Sequence, residues 1–254
     1  MWRGLVFVVS VCLLSIPVVA PRASAQPTET IETLTTKMPW TMEAGTAVST
    51  GSAIYLIGGF RGGAHSDRIT RFDATDHTFA NETARLPVPL VGVAAVWTGT
   101  EILIFGGQNQ GGGNSAQTIR YNPATGDLTF GTNLTSSRAY VPTVWTGRYA
   151  YLFGGAVGIT NIRYDVLRYD PQTDGMQVVT TATMPTNERD GAATWDGTRA
   201  VIFGGVYEVH VLTFDPATET FSRPSVSGFG GATMATAAQI GPYAYVFGGC
   251  DRAA

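Results

Sequence analysis

Residues 93–107 read VAAVWTGTEILIFGG, and this stretch decides the fold because its pattern returns along the whole chain. A small apolar strand at 93–97 is followed by a turn at Gly99, and the apolar run 102–105 then ends at Gly106-Gly107. Glycine permits the positive φ that tight hairpins require. A run that is apolar on both faces belongs in a sheet that is covered on both sides. The stretch therefore predicts a β-hairpin whose second strand is buried.

The same hairpin pattern occurs five times, with spacings of 48, 48, 50 and 44 residues between successive double glycines. The pairs are Gly58-Gly59, Gly106-Gly107, Gly154-Gly155, Gly204-Gly205 and Gly248-Gly249. A turn glycine stands seven residues before each pair, at Gly51, Gly99, Gly147, Gly197 and Gly241. Two adjacent glycines at the end of a buried strand predict a place where backbone approaches backbone too closely for a Cβ atom.

The second half of each unit predicts two more strands. An alternating segment ends in an aromatic residue and a turn, and an apolar residue follows seven places after the aromatic. The pairs are Phe72 and Phe79, Tyr121 and Leu128, Tyr169 and Met176, and Phe214 and Phe221. Each unit is therefore predicted to be a four-stranded antiparallel sheet. Such a sheet can bury both faces only by stacking its neighbours around an axis.

This pattern resembles the kelch repeat of β-propellers, in the galactose oxidase-like kelch superfamily, over about residues 45–249. Two departures are plain: the usual Trp is replaced at all four apolar positions, and Phe stands for Tyr at Phe72 and Phe214. The resemblance implies an all-β propeller of four-stranded antiparallel blades, about five in number. The expected units are 45–91, 92–138, 139–190, 191–231 and a partial unit at 232–254.

Closure of the ring is left open by the sequence, because the fifth unit contains only two strands. Residues 26–44 supply a possible closing strand, at 28–36, but one further strand is still lacking. Either the fifth blade is three-stranded or the chain is a truncated product of a longer gene. The six or seven blades usual in the family favour truncation.

The N-terminus predicts export. One arginine, an apolar run and small residues before Ala25 form a signal peptide over residues 1–25, which leaves no membrane span in the mature chain. We expect a secreted, extracellular or periplasmic protein. Charged residues make up 14% of the sequence and the net charge is −3, which argues against coiled coils and against nucleic-acid binding.

The binding surface is predicted on one face of the ring, where the loops between strands 2 and 3 and the connections from strand 4 to the next strand 1 lie together. Variable loops on a rigid scaffold suit recognition of a protein or a glycan. The 2–3 loop candidates are Arg61, His65, Asp67, Asn109, Asn114, Asn161, Arg163, Tyr164, Tyr207 and Glu208. The 4–1 candidates are Arg138, Tyr140, Glu188, Arg189 and Asp190. Arg138 and Arg189 allow two interpretations. Each arginine is suited to joining neighbouring blades or to binding an acidic ligand.

No catalytic, metal or cofactor motif is visible in the sequence. The three histidines lack ligand spacing, and Gly111–Gly113 is not followed by a helix that would make a phosphate site. A binding module without catalysis is therefore the first hypothesis. The alternative is an exported sugar-acid enzyme, because the resemblance extends to N-acetylneuraminate epimerases. In that case Arg138, Glu188 and Arg189 would bind and process the acid sugar.

Overall fold

The structure is a computed structural model that describes residues 35–158, 161–186, 189–205, 210–226 and 233–248. The regular structure in these ranges is entirely β, and its strands pair in an antiparallel manner. Within the described ranges, there is no helix of sufficient length and apolarity to cross a membrane. The signal peptide expected at 1–25 lies outside the described residues.

The strands follow one another closely along the chain. Up to residue 85 they are β1 (Thr46–Ser49), β2 (Ala53–Ile57), β3 (Phe60–Arg61), β4 (Ala64–His65), β5 (Arg68–Asp73) and β6 (Thr78–Arg85). The next are β7 (Ala94–Trp97), β8 (Ile102–Phe105), β9 (Thr118–Tyr121) and β10 (Leu128–Gly131). They are followed by β11 (Thr143–Trp145), β12 (Ala150–Phe153), β13 (Ala156–Val157), β14 (Asn161–Ile162), β15 (Asp165–Asp170) and β16 (Gly175–Thr183). The last are β17 (Ala192–Trp195), β18 (Ala200–Phe203), β19 (Val211–Asp215), β20 (Thr220–Ser222), β21 (Thr236–Ile240) and β22 (Tyr243–Phe247).

Four sheets share one topology, in which four strands pair in chain order. Blade 1 is β1-β2-β5-β6, blade 2 is β7-β8-β9-β10, blade 3 is β11-β12-β15-β16 and blade 4 is β17-β18-β19-β20. The fifth sheet is the pair β21-β22. The predicted four-stranded unit is confirmed, and so are the two strands of the fifth unit. Four complete blades thus stand where about five were expected.

Neighbouring blades pack through the apolar runs that precede the double glycines. Tyr151 and Phe153 of blade 3 pack against Phe214 of blade 4, and both ring centroids lie 5.4 Å from the Phe214 centroid. Ala200 and Ile202 of blade 4 belong to the same buried cluster. Equivalent clusters join blade 1 to blade 2, blade 2 to blade 3 and blade 4 to the fifth sheet. The hydrophobic core therefore lies between the sheets, which explains why the runs are apolar on both faces.

A chain of backbone hydrogen bonds links the repeats beside their first strands. Each N–H donates to the carbonyl of the equivalent residue one repeat earlier, at N···O distances of 2.8, 2.8, 3.2 and 2.7 Å. All five residues have positive φ, between 51° and 61°. They are Ala44, Gly92, Tyr140, Asp190 and Met234. Because the first strands also contact one another in the order β1, β7, β11, β17 and β21, the five sheets share one axis.

The first double glycine shows why these positions exclude side chains. Gly58 has a φ of 64°, and a Cβ atom there would lie 2.5 Å from the carbonyl oxygen of Leu90. The next amide, of Gly59, donates a hydrogen bond of 2.8 Å to that same carbonyl. The predicted close approach of backbone to backbone is confirmed, because the strand end is bonded directly to the 4–1 connection of its own repeat.

The sequence prediction did not include strands within the 2–3 loops. In blades 1 and 3 these loops fold into the small hairpins β3-β4 and β13-β14. Most of the expected closing strand at 28–36 lies outside the described residues. Within 35–44, the pairing seen is a bridge from Glu43 to Phe60, and not a strand added to the fifth sheet.

Candidate functional site

An open pocket of about 610 Å³ lies on the predicted loop face of blade 1. The β3-β4 hairpin supplies one wall, the beginning of β5 the second, and the end of β6 and the segment before β1 the rest. The lining residues are Trp40, Thr41, Arg61, Gly62, His65, Ser66, Asp67, Arg68 and Arg85. Three of them are arginines and one is an acid, so the pocket is cationic although the whole chain is acidic.

The hairpin holds Arg61 against an aromatic ring. The guanidinium carbon of Arg61 lies 3.5 Å from the centroid of the Trp40 ring, which is a cation–π contact. Across the hairpin, Phe60 and His65 are register partners whose rings meet edge to face at 5.9 Å. The contact with Trp40 orients the Arg61 guanidinium without neutralising its charge.

The charges in the pocket are only partly compensated. Asp67 forms an ion pair with Arg85 at 3.0 Å. Neither Arg61 nor Arg68 forms an ion pair with an acid in the described part of the chain. Burial lowers the pKa of Arg61, and the nearby positive charge of Arg68 lowers it further. Two like charges held close together favour an anion between them.

The pocket also contains an unsatisfied polar atom. Nδ1 of His65 is buried and has no hydrogen-bond partner among the described residues. Buried polar atoms in proteins are nearly always bonded, so such an atom in a pocket is suited to a ligand or to water. The arrangement can therefore bind a carboxylate, phosphate or sulfate through guanidinium groups, which match the geometry of these anions.

The structure brings together three of the predicted residues, Arg61, His65 and Asp67, and adds three that the sequence pattern did not single out. Trp40 precedes the first repeat, and Arg68 and Arg85 lie within strands, whereas only loop positions were considered. One signal was available for Arg85. It ends the fourth strand beside a 4–1 connection, which belongs to the same face of the ring.

Other predicted residues are occupied in local structure. Asn109 Oδ1 accepts hydrogen bonds from the backbone N–H groups of Gly111 and Gly113, both at 3.0 Å, so this side chain shapes its own loop. Asn114 donates to the carbonyl of Ala156 at 2.7 Å and thereby joins blades 2 and 3. Both amides are therefore used by the scaffold.

The remaining 2–3 loop candidates lie on blade 3 or outside the described residues. Asn161 is exposed in β14, and Tyr164 is exposed by 46%. Nε of Arg163 is buried without a partner in the described structure, which makes this arginine a further polar position on the loop face. Tyr207, Glu208 and the 4–1 candidate Glu188 lie outside the described residues.

Arg138 is completely buried and its guanidinium is fully engaged. It binds Asp165 at 2.8 and 3.2 Å, the carbonyl of Gly154 at 3.0 Å, and the hydroxyl of Ser136 at 2.8 Å. Gly154 and Asp165 belong to blade 3, whereas Arg138 lies in the connection from blade 2. These contacts favour a structural role, in which Arg138 joins blades 2 and 3, over ligand binding.

The other 4–1 candidates lie near the backbone chain that links the repeats. Arg189 forms an ion pair with Asp190 at 2.9 Å, and the Asp190 side chain is 2% exposed. Tyr140 and Asp190 are both members of that backbone chain. In the described residues there is no group of three or more His, Cys, Asp or Glu side chains that would hold a metal ion.

Comparison with protein families gives one match that covers most of the chain. The matching model is described as the KLHDC2/KLHL20/DRC7 Kelch-repeats domain, and it aligns with residues 44–249. No curated protein matches the sequence. The matched range begins at the first residue of the backbone chain, Ala44, and ends at the last double glycine.

Proposed function

The chain belongs to the kelch-repeat family, and on this premise we propose that it is a secreted binding module that recognises an anionic group of a protein or glycan through its loop face. Kelch propellers are generally protein-interaction modules. One observation carries the proposal for this chain: Arg61 and Arg68 line one pocket and have no acidic partner among the described residues.

The geometry of the pocket supports binding more than catalysis. Arg61 is held by Trp40, and Asp67 is held by Arg85, so the acid that would have to move a proton is already paired. A fixed cationic surface gives electrostatic selection of the ligand, which weakens as salt screens the charges. Export, which the N-terminal segment predicts, would present this surface to ligands outside the cell. N-terminal sequencing of the exported protein should then begin at Gln26.

The experiment compares two anionic probes by isothermal titration calorimetry at low salt. One probe is a poly-glutamate peptide and the other is a sulfated, uronate-containing oligosaccharide; poly-glutamine and a neutral dextran are the uncharged controls. We expect one anionic probe to bind, and Arg61→Gln with Arg68→Gln to weaken it at least about tenfold. Which probe binds decides between a protein and a glycan ligand.

The matched control is Arg148→Gln. Arg148 is 61% exposed and lies in the turn between strands 1 and 2 of blade 3, on the opposite face of the ring. Its loss should leave the binding of the probe unchanged. Equal weakening by Arg148→Gln, or no binding of either anionic probe, would contradict the proposal.

The alternative, a sugar-acid enzyme resembling the N-acetylneuraminate epimerases, has weaker support. Of its three candidate residues, Arg138 is bonded to Asp165 and Arg189 to Asp190, and Glu188 lies outside the described residues. Exchange of the anomers of N-acetylneuraminate, followed by NMR, separates the two hypotheses. Exchange well above the buffer rate that is lost in Arg189→Ala would establish the enzyme.

A further inference from the structure

The connection that follows β10 contains an acceptor triplet for an N-linked glycan. Residues 133–135 read Asn-Leu-Thr, and in an exported protein an Asn-x-Thr triplet is where a glycan can be joined to the asparagine amide. Asn133 and Thr135 are both exposed, and neither belongs to a strand. The two residues that the attachment requires are therefore accessible on the folded chain.

Hydrogen bonds on both sides hold this triplet in place. The Thr132 N–H donates to Asp174 Oδ1 at 2.7 Å, and the Leu134 N–H donates to the carbonyl of Ala116 at 2.8 Å. Leu134 is only 5% exposed, so it packs inward. Asn133 thus lies between two anchored residues while its own side chain remains in solvent.

A pocket of about 510 Å³ lies beside Asn133 and includes an exposed aromatic ring. The lining residues are Gln117, Phe130, Gly131, Thr132, Asn133 and Asp174. Phe130 stands three residues before Asn133, and at 59% exposure it is the most exposed phenylalanine in the described part of the chain. The acceptor asparagine and the exposed ring therefore border the same pocket.

The chemistry of this pocket suits the first sugar of an N-linked glycan, which is N-acetylglucosamine. Its C–H groups can pack on the negative face of an aromatic ring, and this contact removes apolar area of Phe130 from water. The Gln117 amide and the Asp174 carboxylate offer hydrogen bonds to the sugar hydroxyls. A few polar groups beside an apolar surface are typical of a ligand pocket.

We propose that Asn133 carries an N-linked glycan whose first sugar packs on Phe130 in this pocket. The co-reactant is a lipid-diphosphate-linked oligosaccharide of the secretory pathway. Nδ2 of Asn133 forms a bond to C1 of the sugar, the bond from C1 to the diphosphate oxygen breaks, and the lipid diphosphate leaves. The proton that Nδ2 loses goes to a base of the transferase. This inference rests on the export in the proposed function but not on the cationic pocket, which lies on blade 1.

The chain also contains a second acceptor triplet, at residues 81–83, which provides a comparison. Asn81 lies within β6 opposite Thr70, and the Thr70 hydroxyl donates to its Oδ1 at 2.9 Å. The aromatic residue before this triplet, Phe79, is already packed against Phe72 at a ring distance of 4.8 Å. This triplet therefore lacks the exposed ring that Asn133 has beside it.

The first experiment maps the glycan by mass spectrometry before and after enzymatic release. The full chain, with its own N-terminal segment, is produced in cultured mammalian cells. We expect a glycan on Asn133 that is lost in Asn133→Gln and in Thr135→Ala, and retained in Thr135→Ser, because a hydroxyl is kept. Asn81→Gln is the matched control, since it removes the other triplet and should leave the Asn133 glycan in place.

The second experiment tests the contact with Phe130 after the glycan has been trimmed to its first sugar. The aromatic ring current should shift the proton resonances of that sugar upfield in NMR spectra, and Phe130→Leu should abolish this shift while keeping an apolar side chain. Phe130→Leu should also lower the melting temperature of the glycosylated protein by about 2–4 °C, as expected for one aromatic contact in a domain of this size. In the Thr135→Ala background, which has no glycan, the same substitution should change the melting temperature by less than about 1 °C.

The location of the protein separates this inference from the proposed function. A chain that reaches the medium with Asn133 unmodified would overturn the inference and leave export intact, whereas an unmodified chain retained in the cells would contradict both. A glycosylated Asn133 whose sugar resonances and melting temperature do not respond to Phe130→Leu would refute the packing in the pocket. Thr135→Ala should bind the anionic probe as wild type does, so failure of that binding concerns the proposed function alone.

Discussion

The buried ion pair between Arg138 and Asp165 gives the sharpest prediction about stability. The Arg138 side chain is 0% exposed, whereas the Asp165 side chain is 29% exposed and lies 2.8 Å from it. Asp165→Asn keeps the size of the side chain but leaves a buried guanidinium without a counter-charge. The carbonyl of Gly154 and the hydroxyl of Ser136 still accept hydrogen bonds from Arg138 after this change.

The size of the effect follows from burial. Removing one partner of a buried ion pair costs about 3–5 kcal/mol of the free energy of unfolding. Because Asp165 is partly solvated and asparagine still accepts one hydrogen bond, we expect the lower end, about 3 kcal/mol. At about 2–4 °C per kcal/mol for a domain of this size, this corresponds to a melting temperature lower by about 6–12 °C.

Urea unfolding followed by circular dichroism measures this change, and equal m-values would show that the same surface is exposed in both proteins. The control is Asp67→Asn, because the pair Asp67–Arg85 has exposed fractions of 33% and 47%. An exposed pair contributes about 0–1 kcal/mol. If Asp165→Asn cost no more than Asp67→Asn, the ion pair of Arg138 would not be what joins blades 2 and 3.

Two further predictions concern backbone geometry and pH. Gly58→Ala should destabilise the protein more than Gly51→Ala in urea unfolding, because both glycines have positive φ but only Gly58 has a carbonyl 2.5 Å from the new Cβ atom. Burial opposes ionisation of Asp174, yet hydrogen bonds from the Thr132 N–H and the Tyr169 hydroxyl lower its pKa below the ordinary value. A lowered pKa stabilises the fold above the pKa of the unfolded carboxyl, about 3.9, and this stabilisation is lost as the pH falls. The stability difference between wild type and Asp174→Asn should thus be constant near neutral pH and shrink progressively as the pH falls below about 4; a difference that stays constant in acid would contradict this.

The fold could be predicted because its determinants are local and repeated. The double glycine at Gly106-Gly107 and the turn at Gly99 are backbone requirements, and these appear in the sequence as residue types. Tyr140 and Asp190 show the limit of that logic. Both adopt positive φ although neither is glycine. Their positions, one and two repeats after Gly92, are what identify them as members of the backbone chain.

The site was harder to predict because it depends on which segments meet in space. Asp67 and Arg85 are 18 residues apart, and nothing in the sequence pairs them. Trp40 lies outside the repeats, and its contact with Arg61 depends on the path of the chain before β1. Asn109 shows the opposite error, since composition alone does not distinguish a side chain that is free for a ligand from one bonded to its own loop.

The cationic pocket is connected to the strands of blade 1 by aromatic contacts. Arg61 lies over Trp40, the Trp40 ring is 6.1 Å from that of Phe79, and Phe79 is 4.8 Å from Phe72. Because Phe72 and Phe79 are register partners in β5 and β6, the position of the Arg61 guanidinium depends on the strands of the repeat as well as on its own hairpin.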